Sequence, residues 1–229
     1  WMGWQVAIHT DSAHGKARIM EIEAGQLNEH MKKGQVPIVA GFQGIGPDNR
    51  VTTLGRGGTD TSAVALAAAL DADRCDIYTD VDGVYTTDPR IVPTARKLEK
   101  VTYEEMLEMA SVGAKVLQTR AVEMAMKYNQ RVQVLSSFSD QPGTLVVNED
   151  EVVEQELVSG IAYSRDEAKI TLVKVPDKPG MAAAIFGPLA DASINVDMIV
   201  QNVSDDGQAT DLTFTVTTND LERAVSTIE

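Results

Sequence analysis

The residues best suited to chemistry stand in one decapeptide, Val51-Thr52-Thr53-Leu54-Gly55-Arg56-Gly57-Gly58-Thr59-Asp60. A β-branched run gives way to glycines around an arginine, and a hydroxyl and a carboxylate follow at the start of a helical pattern. Glycines let a backbone approach an anion closely, and the free N–H groups of a first helical turn donate to it. Arg56 adds a planar, permanently charged fork suited to a carboxylate or a phosphate. The same residues also allow a plain helix start, with Thr59 or Asp60 as cap and Arg56 in solvent. The segment has neither the G-x-x-x-x-G-K-[ST] of a Walker A loop nor the spacing of a dinucleotide fingerprint.

A second cluster is Tyr78-Thr79-Asp80-Val81-Asp82-Gly83-Val84-Tyr85-Thr86-Thr87-Asp88-Pro89-Arg90. It leaves the end of an expected strand, where ligands sit in open α/β sheets. Tyr85 could pack on a base, Arg90 could meet phosphates, and Asp80 could accept from an adenine or a ribose. Loops of Asp, Gly and Pro are also ordinary turns, so the alternative stays open. An EF-hand is excluded, because the glycine and glutamate positions do not align. His9, His14 and His30 show no paired metal spacing and no serine-nucleophile context, and read as surface or capping residues; no metal site is expected. Met106, Met109, Met124 and Met126 fall at helical spacing and read as core or interface filler.

These clusters need elements to hold them. Residues 36–40 form an apolar run that predicts a buried strand, and residues 75–79 predict another. Residues 62–70 are rich in Ala, Leu and Val and predict a helix. Helices are also expected over 103–111, with Thr102 as N-cap and Glu105 completing a capping box, and over 115–128. Residues 132–135 predict a further strand. This alternation implies an α/β domain with a largely parallel sheet flanked by helices. The acidic, poorly patterned stretch near 148–156 marks a boundary, so residues 1–148 are assigned to one domain, 149–158 to a linker and 159–229 to a second. Beyond the linker, strand 168–175, helix 181–192, strands 196–203 and 210–217, and helix 221–228 give the β-α-β-β-α order of an α+β ferredoxin-like unit. The sequence stops where its final strand is expected.

Composition bounds the function. At roughly 150 residues per domain, 229 residues allow one large domain or two smaller ones. With 43% hydrophobic and 24% charged residues, the chain fits neither a disordered tail nor a membrane span. No run approaches the roughly 20 apolar residues of a membrane span. A formal charge of −14 argues against nonspecific nucleic-acid binding and anionic membranes, although a nucleotide cleft can be locally basic. Cys75, the lone cysteine, excludes intramolecular disulfides and thiolate clusters. Trp1-Met2-Gly3-Trp4 lacks the basic region of a secretory signal, so a cytoplasmic setting is expected. Met2 behind Trp1 reads as a chain that begins partway through a longer protein.

Taken together, the segments resemble the aspartate kinases (aspartokinases) of the amino acid kinase family. The likeness rests on Gly41-Phe42-Gln43-Gly44, Thr53 through Asp60, Tyr78 through Arg90, and Val112-Gly113-Ala114-Lys115-Val116-Leu117. Asp177-Lys178-Pro179-Gly180 and Ile194-Asn195-Val196-Asp197 resemble the regulatory ACT domain of the same enzymes. The resemblance implies transfer of the ATP γ-phosphoryl group to the side-chain carboxylate of L-aspartate, with Mg²⁺ on the phosphates. It implies that Arg56, Gly57, Gly58 and Thr59 hold the amino acid and that Asp60 organises transfer. Thr79, Asp80, Tyr85, Arg90, Lys115 and Val116 match the family's nucleotide contacts. Asp177, Gly180, Met181, Ala182, Asn195, Asp197 and Gln201 match effector positions, which implies lysine or threonine as effectors and a homo- or hetero-oligomer through the ACT domains. One departure stands out. The family's Lys-Phe-Gly-Gly-Thr-Ser motif, whose lysine reaches the phosphates, is absent. The chain therefore resembles the later part of the catalytic domain plus a first ACT domain, and without that lysine it is expected to be inactive by itself. Another amino acid kinase, or an amino-acid sensor without catalysis, are the competing readings.

Overall fold

A computed structural model describes residues 1–114, 116–152, 158–203 and 209–228. The chain divides into two units, Trp1–Tyr163 and Ser164–Glu229.

The first unit opens with β1 (Ile8–Thr10), β2 (Ile19–Ile22), α1 (Gly25–Lys32), β3 (Gln43–Ile45) and β4 (Val51–Thr53). The strands form a sheet in the order β2-β1-β3-β4, with β1 and β3 parallel and the other pairs antiparallel. Then come α2 (Gly58–Ala69), β5 (Cys75–Thr79), β6 (Lys100–Thr102), α3 (Tyr103–Ser111), α4 (Thr119–Tyr128), β7 (Val132–Ser136) and β8 (Thr144–Val147). Their sheet runs β5-β7-β8-β6, with β5/β7 and β6/β8 parallel and β7/β8 antiparallel. The expected largely parallel sheet is thus a pair of mixed sheets. The reversal at β8 follows from its short connection to β7, which permits an antiparallel return and not a crossover.

The elements form for local reasons. The second half of α2, residues 63–69, is rich in Ala and Leu, both strong helix formers, and buries Val64, Ala65 and Ala67. In α3 the capping box is complete: Thr102 Oγ1 accepts the Glu105 N–H at 3.2 Å, and the Glu105 carboxylate accepts the Thr102 N–H at 3.0 Å. α4 begins four residues later than its pattern suggested and ends on Asn129 in the left-handed conformation, φ 50°. Alternation along β7 sends Val132 and Val134 into a core with Val64, Ile77, Val84, Val101, Met106, Val122 and Val146.

Residues 36–40 are a correction. They form no ladder, and Val36 and Ile38 are 86% and 80% exposed. An apolar run becomes a buried strand only if neighbours take its backbone groups and cover its side chains. Among the described residues its backbone bonds are with Trp1, whose amino group donates to Ile38 O at 2.5 Å and whose carbonyl accepts from the Ala40 N–H at 2.7 Å.

The second unit comprises β9 (Glu167–Pro176), α5 (Met181–Asp191), β10 (Asp197–Val203), β11 (Ala209–Thr217) and α6 (Leu221–Ile228). The sheet is antiparallel in the order β10-β11-β9. Register sets Leu212 opposite Leu172, Phe214 opposite Ile170 and Val216 opposite Ala168, so one face is apolar. Leu189 of α5 and Ala224 of α6 bury against it, and Phe186 meets Phe214 edge-on at 5.3 Å.

Candidate active site

Topology brings the first unit's motifs to one end. β5 and β7 are parallel, and each is reached by a short connection from a helix, α2 or α4. A helix that returns to such a strand lies antiparallel to it, so both helix N-termini stand at the strands' carboxyl ends. The loops leaving the two strands are tied there, since the Ser137 N–H donates to Thr79 O at 2.8 Å.

The turn before α2 is pinned from several sides. Gly57 takes φ 71° and caps the helix with no side-chain cap bond, and a Cβ on it would overlap the Gln118 side chain. Gly55 takes φ 84°, and a Cβ there would meet Gly15 O at 2.8 Å. Only glycine combines that backbone with that approach. Arg120 clamps the turn, donating to Leu54 O at 2.6 Å and to Ala17 O at 2.8 Å. Ser62 Oγ donates to Thr59 O at 2.8 Å and accepts the Phe42 N–H at 3.2 Å, which fixes the Gly41-Phe42 edge against the helix start.

The outcome is a donor-rich helix N-terminus. Neither Thr59 nor Asp60 caps α2, so the capping alternative is not what the turn adopts. No carbonyl or side chain among the described residues takes the N–H groups of Thr59 and Asp60. Arg56 is exposed beside them, and no hydrogen bond or ion pair among the described residues engages its guanidinium. Burial pushes the Asp60 pKa up, while the Gln118 backbone N–H pulls it down. Open N–H groups with a free guanidinium suit an anion, and a half-buried carboxylate beside them suits an ammonium group or an ordered water.

The 79–90 loop is organised differently from its sequence reading. Thr79 Oγ1 donates to Asp80 at 3.2 Å. The Tyr85 hydroxyl donates to Asp82 at 3.0 Å, and Lys97 Nζ reaches the same carboxylate at 3.3 Å. Arg90 is not a lone cation: its guanidinium forms a two-point pair with Asp88, at 2.8 and 3.0 Å. That guanidinium beside Asp88 holds the carboxyl down at about 2. Val116 is half-buried between α3 and α4. Lys115 lies outside the described residues.

In the second unit, Gly180 caps α5 at φ 93° without a side-chain cap, and nothing lies within 4 Å of where its Cβ would be. Met181 and Ala182 form the first helical turn, and Asp177, Asn195 and Gln201 are exposed. Asp197 is exposed at a bulge of β10, its carboxylate accepting the Met198 N–H at 2.7 Å. The positions lie along one strand-turn-helix and on or just before β10.

Sequence reasoning missed Gln118, Arg120, Asp82 and Lys97. Gln118 directly follows the Val112-to-Leu117 segment, and Asp82 sat in the quoted loop without a role. Arg120 and Lys97 carried no local signal, because their partners are backbone carbonyls and a carboxylate remote in sequence. Among the described residues, no three His, Cys, Asp or Glu side chains converge on a metal-sized site. No described helix is long and apolar enough to cross a membrane.

Comparison with known proteins adds to this geometry. Residues 3–136 match the model of the amino acid kinase family, and residues 169–229 match that of the ACT domain. An aspartate kinase of Pseudomonas putida is 59% identical over 230 residues, which covers 100% of this chain and 56% of that protein. An aspartokinase of Corynebacterium glutamicum is 53% identical, covering 99% of this chain and 55% of that one. The chain thus spans about half the length of the curated relatives it matches. Among solved structures, E. coli aspartokinase III in complex with lysine and aspartate superposes with a TM-score of 0.77 at 33% identity, covering 100% of this chain and 53% of that one. The same enzyme in complex with aspartate and ADP gives 0.74 at 35% identity, covering 94% and 49%.

Proposed function

This chain belongs to the amino acid kinase family, and we propose that it is the part of an aspartate kinase that carries the amino-acid and nucleotide contacts together with an ACT domain. The complete protein phosphorylates the side-chain carboxylate of L-aspartate to 4-phospho-L-aspartate, an early step of amino-acid biosynthesis. The observation that carries this reading is the helix start at Gly57, where the Thr59 and Asp60 N–H groups and the Arg56 guanidinium have no partner among the described residues.

In this reading Arg56 clamps a carboxylate of aspartate, and the α2 N-terminus receives negative charge. Asp60 holds the transfer geometry through its charge. Thr79, Asp80, Tyr85 and Arg90, with Lys115 and Val116, form the nucleotide side. When bound, ATP with Mg²⁺ would supply the phosphoryl group, the ion offsetting phosphate charge. A carboxylate acceptor is ionised at neutral pH, so the residues need no general base; they orient two anions and offset their repulsion. The protein works in the cytoplasm.

The second unit senses an amino acid, lysine or threonine. The α5 N-terminus receives its carboxylate, Asp177 its ammonium group, and Asn195, Asp197 and Gln201 read its side chain. Paired ACT units make the protein an oligomer. The chain by itself, whose sequence lacks the Lys-Phe-Gly-Gly-Thr-Ser motif, binds effector without turnover.

The test is steady-state kinetics on the complete protein. Arg56→Ala is expected to raise the KM for aspartate or lower kcat while the protein stays folded. Unchanged aspartate kinetics would remove the assignment of this site.

A further inference from the structure

We infer that Lys97 is a positioning residue for the nucleotide: its ammonium group braces Asp82, and through it the Tyr85 hydroxyl, against the loop that joins β7 to β8. The inference rests on the nucleotide reading of the 79–90 loop and extends it to residues that no motif marks.

Lys97 Nζ makes two contacts, to Asp82 Oδ2 at 3.3 Å and to the carbonyl of Pro142 at 2.9 Å. The Asp82 carboxylate in turn accepts the Tyr85 hydroxyl at 3.0 and 3.3 Å. One cation thus joins the loop that leaves β5 to the loop that leaves β7. Gly83 makes room for it, since a Cβ there would stand 3.0 Å from Lys97 Cδ and 2.6 Å from Thr144 Oγ1. The lysine stem lies on the loop with 27% of its side chain exposed.

The hairpin does not need Lys97 to form. Residues 84–86 and 96–98 are already joined by backbone bonds, Thr86 N–H to Arg96 O at 2.9 Å and Leu98 N–H to Val84 O at 2.8 Å. Thr144 Oγ1 locks the same strands from beneath, accepting the Val84 N–H at 2.8 Å and donating to Leu98 O at 2.6 Å. Among the described residues, Lys97 is the cation paired with the Asp82 carboxylate, which in turn holds the Tyr85 hydroxyl. Burial pushes the Asp82 carboxyl up, but the Tyr85 and Lys97 hydrogen bonds outweigh it and keep the carboxylate charged.

Charge gives a second reason. The loop carries Asp80, Asp82 and Asp88, and Arg90 is already matched with Asp88. Without Lys97 a polyanionic nucleotide would approach the Asp82 carboxylate with its paired cation removed. Lys97 therefore fixes Tyr85 and makes the loop tolerable to phosphates at once.

The experiment uses the complete protein with Mg·ATP as probe. Lys97→Met is expected to raise the KM for ATP roughly tenfold, the loss of a charge-assisted hydrogen bond and its field. The aspartate KM and kcat should stay within about twofold, and the melting temperature should hardly move, because the backbone ladder remains. Lys97→Arg should restore most of the affinity, and Asp82→Asn should reproduce the defect from the other side of the link. In a Tyr85→Phe background, Lys97→Met should cost less than in the parent. If Arg90→Ala weakens ATP while both Lys97→Met and Asp82→Asn leave it unchanged, the brace is wrong and the nucleotide site stands. If none of the three affects ATP, the nucleotide reading of the loop falls with it. Equal losses for ATP and aspartate would make Lys97 a folding residue only.

Discussion

Two glycine-capped helix starts, Gly57 before α2 and Gly180 before α5, use the same local device and end up in opposite surroundings. Both glycines take a left-handed backbone, φ 71° and φ 93°, and neither helix has a side-chain cap. The turn at Gly57 is held from three sides: Gln118 covers the glycine, Arg120 clamps the Leu54 carbonyl, and Ser62 links the helix to Phe42. Around Gly180 there is open space. A rigid N-terminus suits a reaction that needs two anions held in fixed geometry, because preorganised donors need no reorganisation when charge arrives. An open one suits an effector that must enter, order the turn and leave.

The sharpest way to break this comparison is to add one methyl group to each turn. Gly57→Ala combines left-handed strain with displacement of Gln118, and should destabilise the first unit by about 2–4 kcal/mol. Gly180→Ala meets strain alone and should cost about 1–2 kcal/mol. Chemical denaturation of both variants measures the difference, and equal losses would mean that the packing around Gly57 contributes nothing.

The charged groups sharpen it functionally. In the complete protein Arg56→Ala should lower kcat/KM for aspartate by about 2–4 kcal/mol, the usual loss for one partner of a desolvated charged pair. Asp177→Ala should leave uninhibited turnover alone and weaken threonine or lysine in calorimetry. An Asp177→Ala protein that binds both as before would remove the proposed effector site.

A smaller effect is expected at Asp60, with opposite signs in its two readouts. Burial raises the Asp60 pKa, so the charge is held against a desolvation cost. Asp60→Asn removes that cost and should leave stability unchanged or slightly higher, while kcat falls at least tenfold, about 1.4 kcal/mol. An Asn variant with normal turnover would reduce Asp60 to a spectator.

The least effect at neutral pH concerns Cys75. Burial pushes its thiol up to about 11 from 9.0, and burial also pushes the Tyr103 hydroxyl up to about 12 from 10.0. The unfolded chain ionises first, so the folded form keeps its full stability below pH 9 and loses it as pH rises through 9 to 11 and beyond. Cys75 should alkylate slowly at pH 8 and quickly once denatured. Fast labelling of the folded chain would contradict its burial.

How much of this was readable beforehand differs by element. α2, α3, β5 and β7 follow from patterns a few residues long: strong helix formers, Thr102 with Glu105, and β-branched alternation. The β-α-β-β-α order of the second unit was equally local. Residues 36–40 failed because an apolar run states only that it wants cover, and whether a neighbour supplies it is decided elsewhere. The start of α4 was misplaced because the residue ahead of it packs on the α2 turn: Gln118 stands over Gly57 instead of extending the helix.

The sequence by itself determined the local devices: two glycine helix starts, a capping box, an Asp-rich loop after a strand, and the family likeness they compose. Those depend on interactions within a few residues, which composition and spacing encode directly. Only the tertiary structure decided which glycine start is packed and which is open, that Arg90 is matched with Asp88 while Arg56 has no partner among the described residues, and that Lys97 reaches Asp82 across 15 residues and Pro142 across 45. These depend on where the chain returns in space. A lysine or an arginine has the same pattern in sequence wherever its charge is finally received.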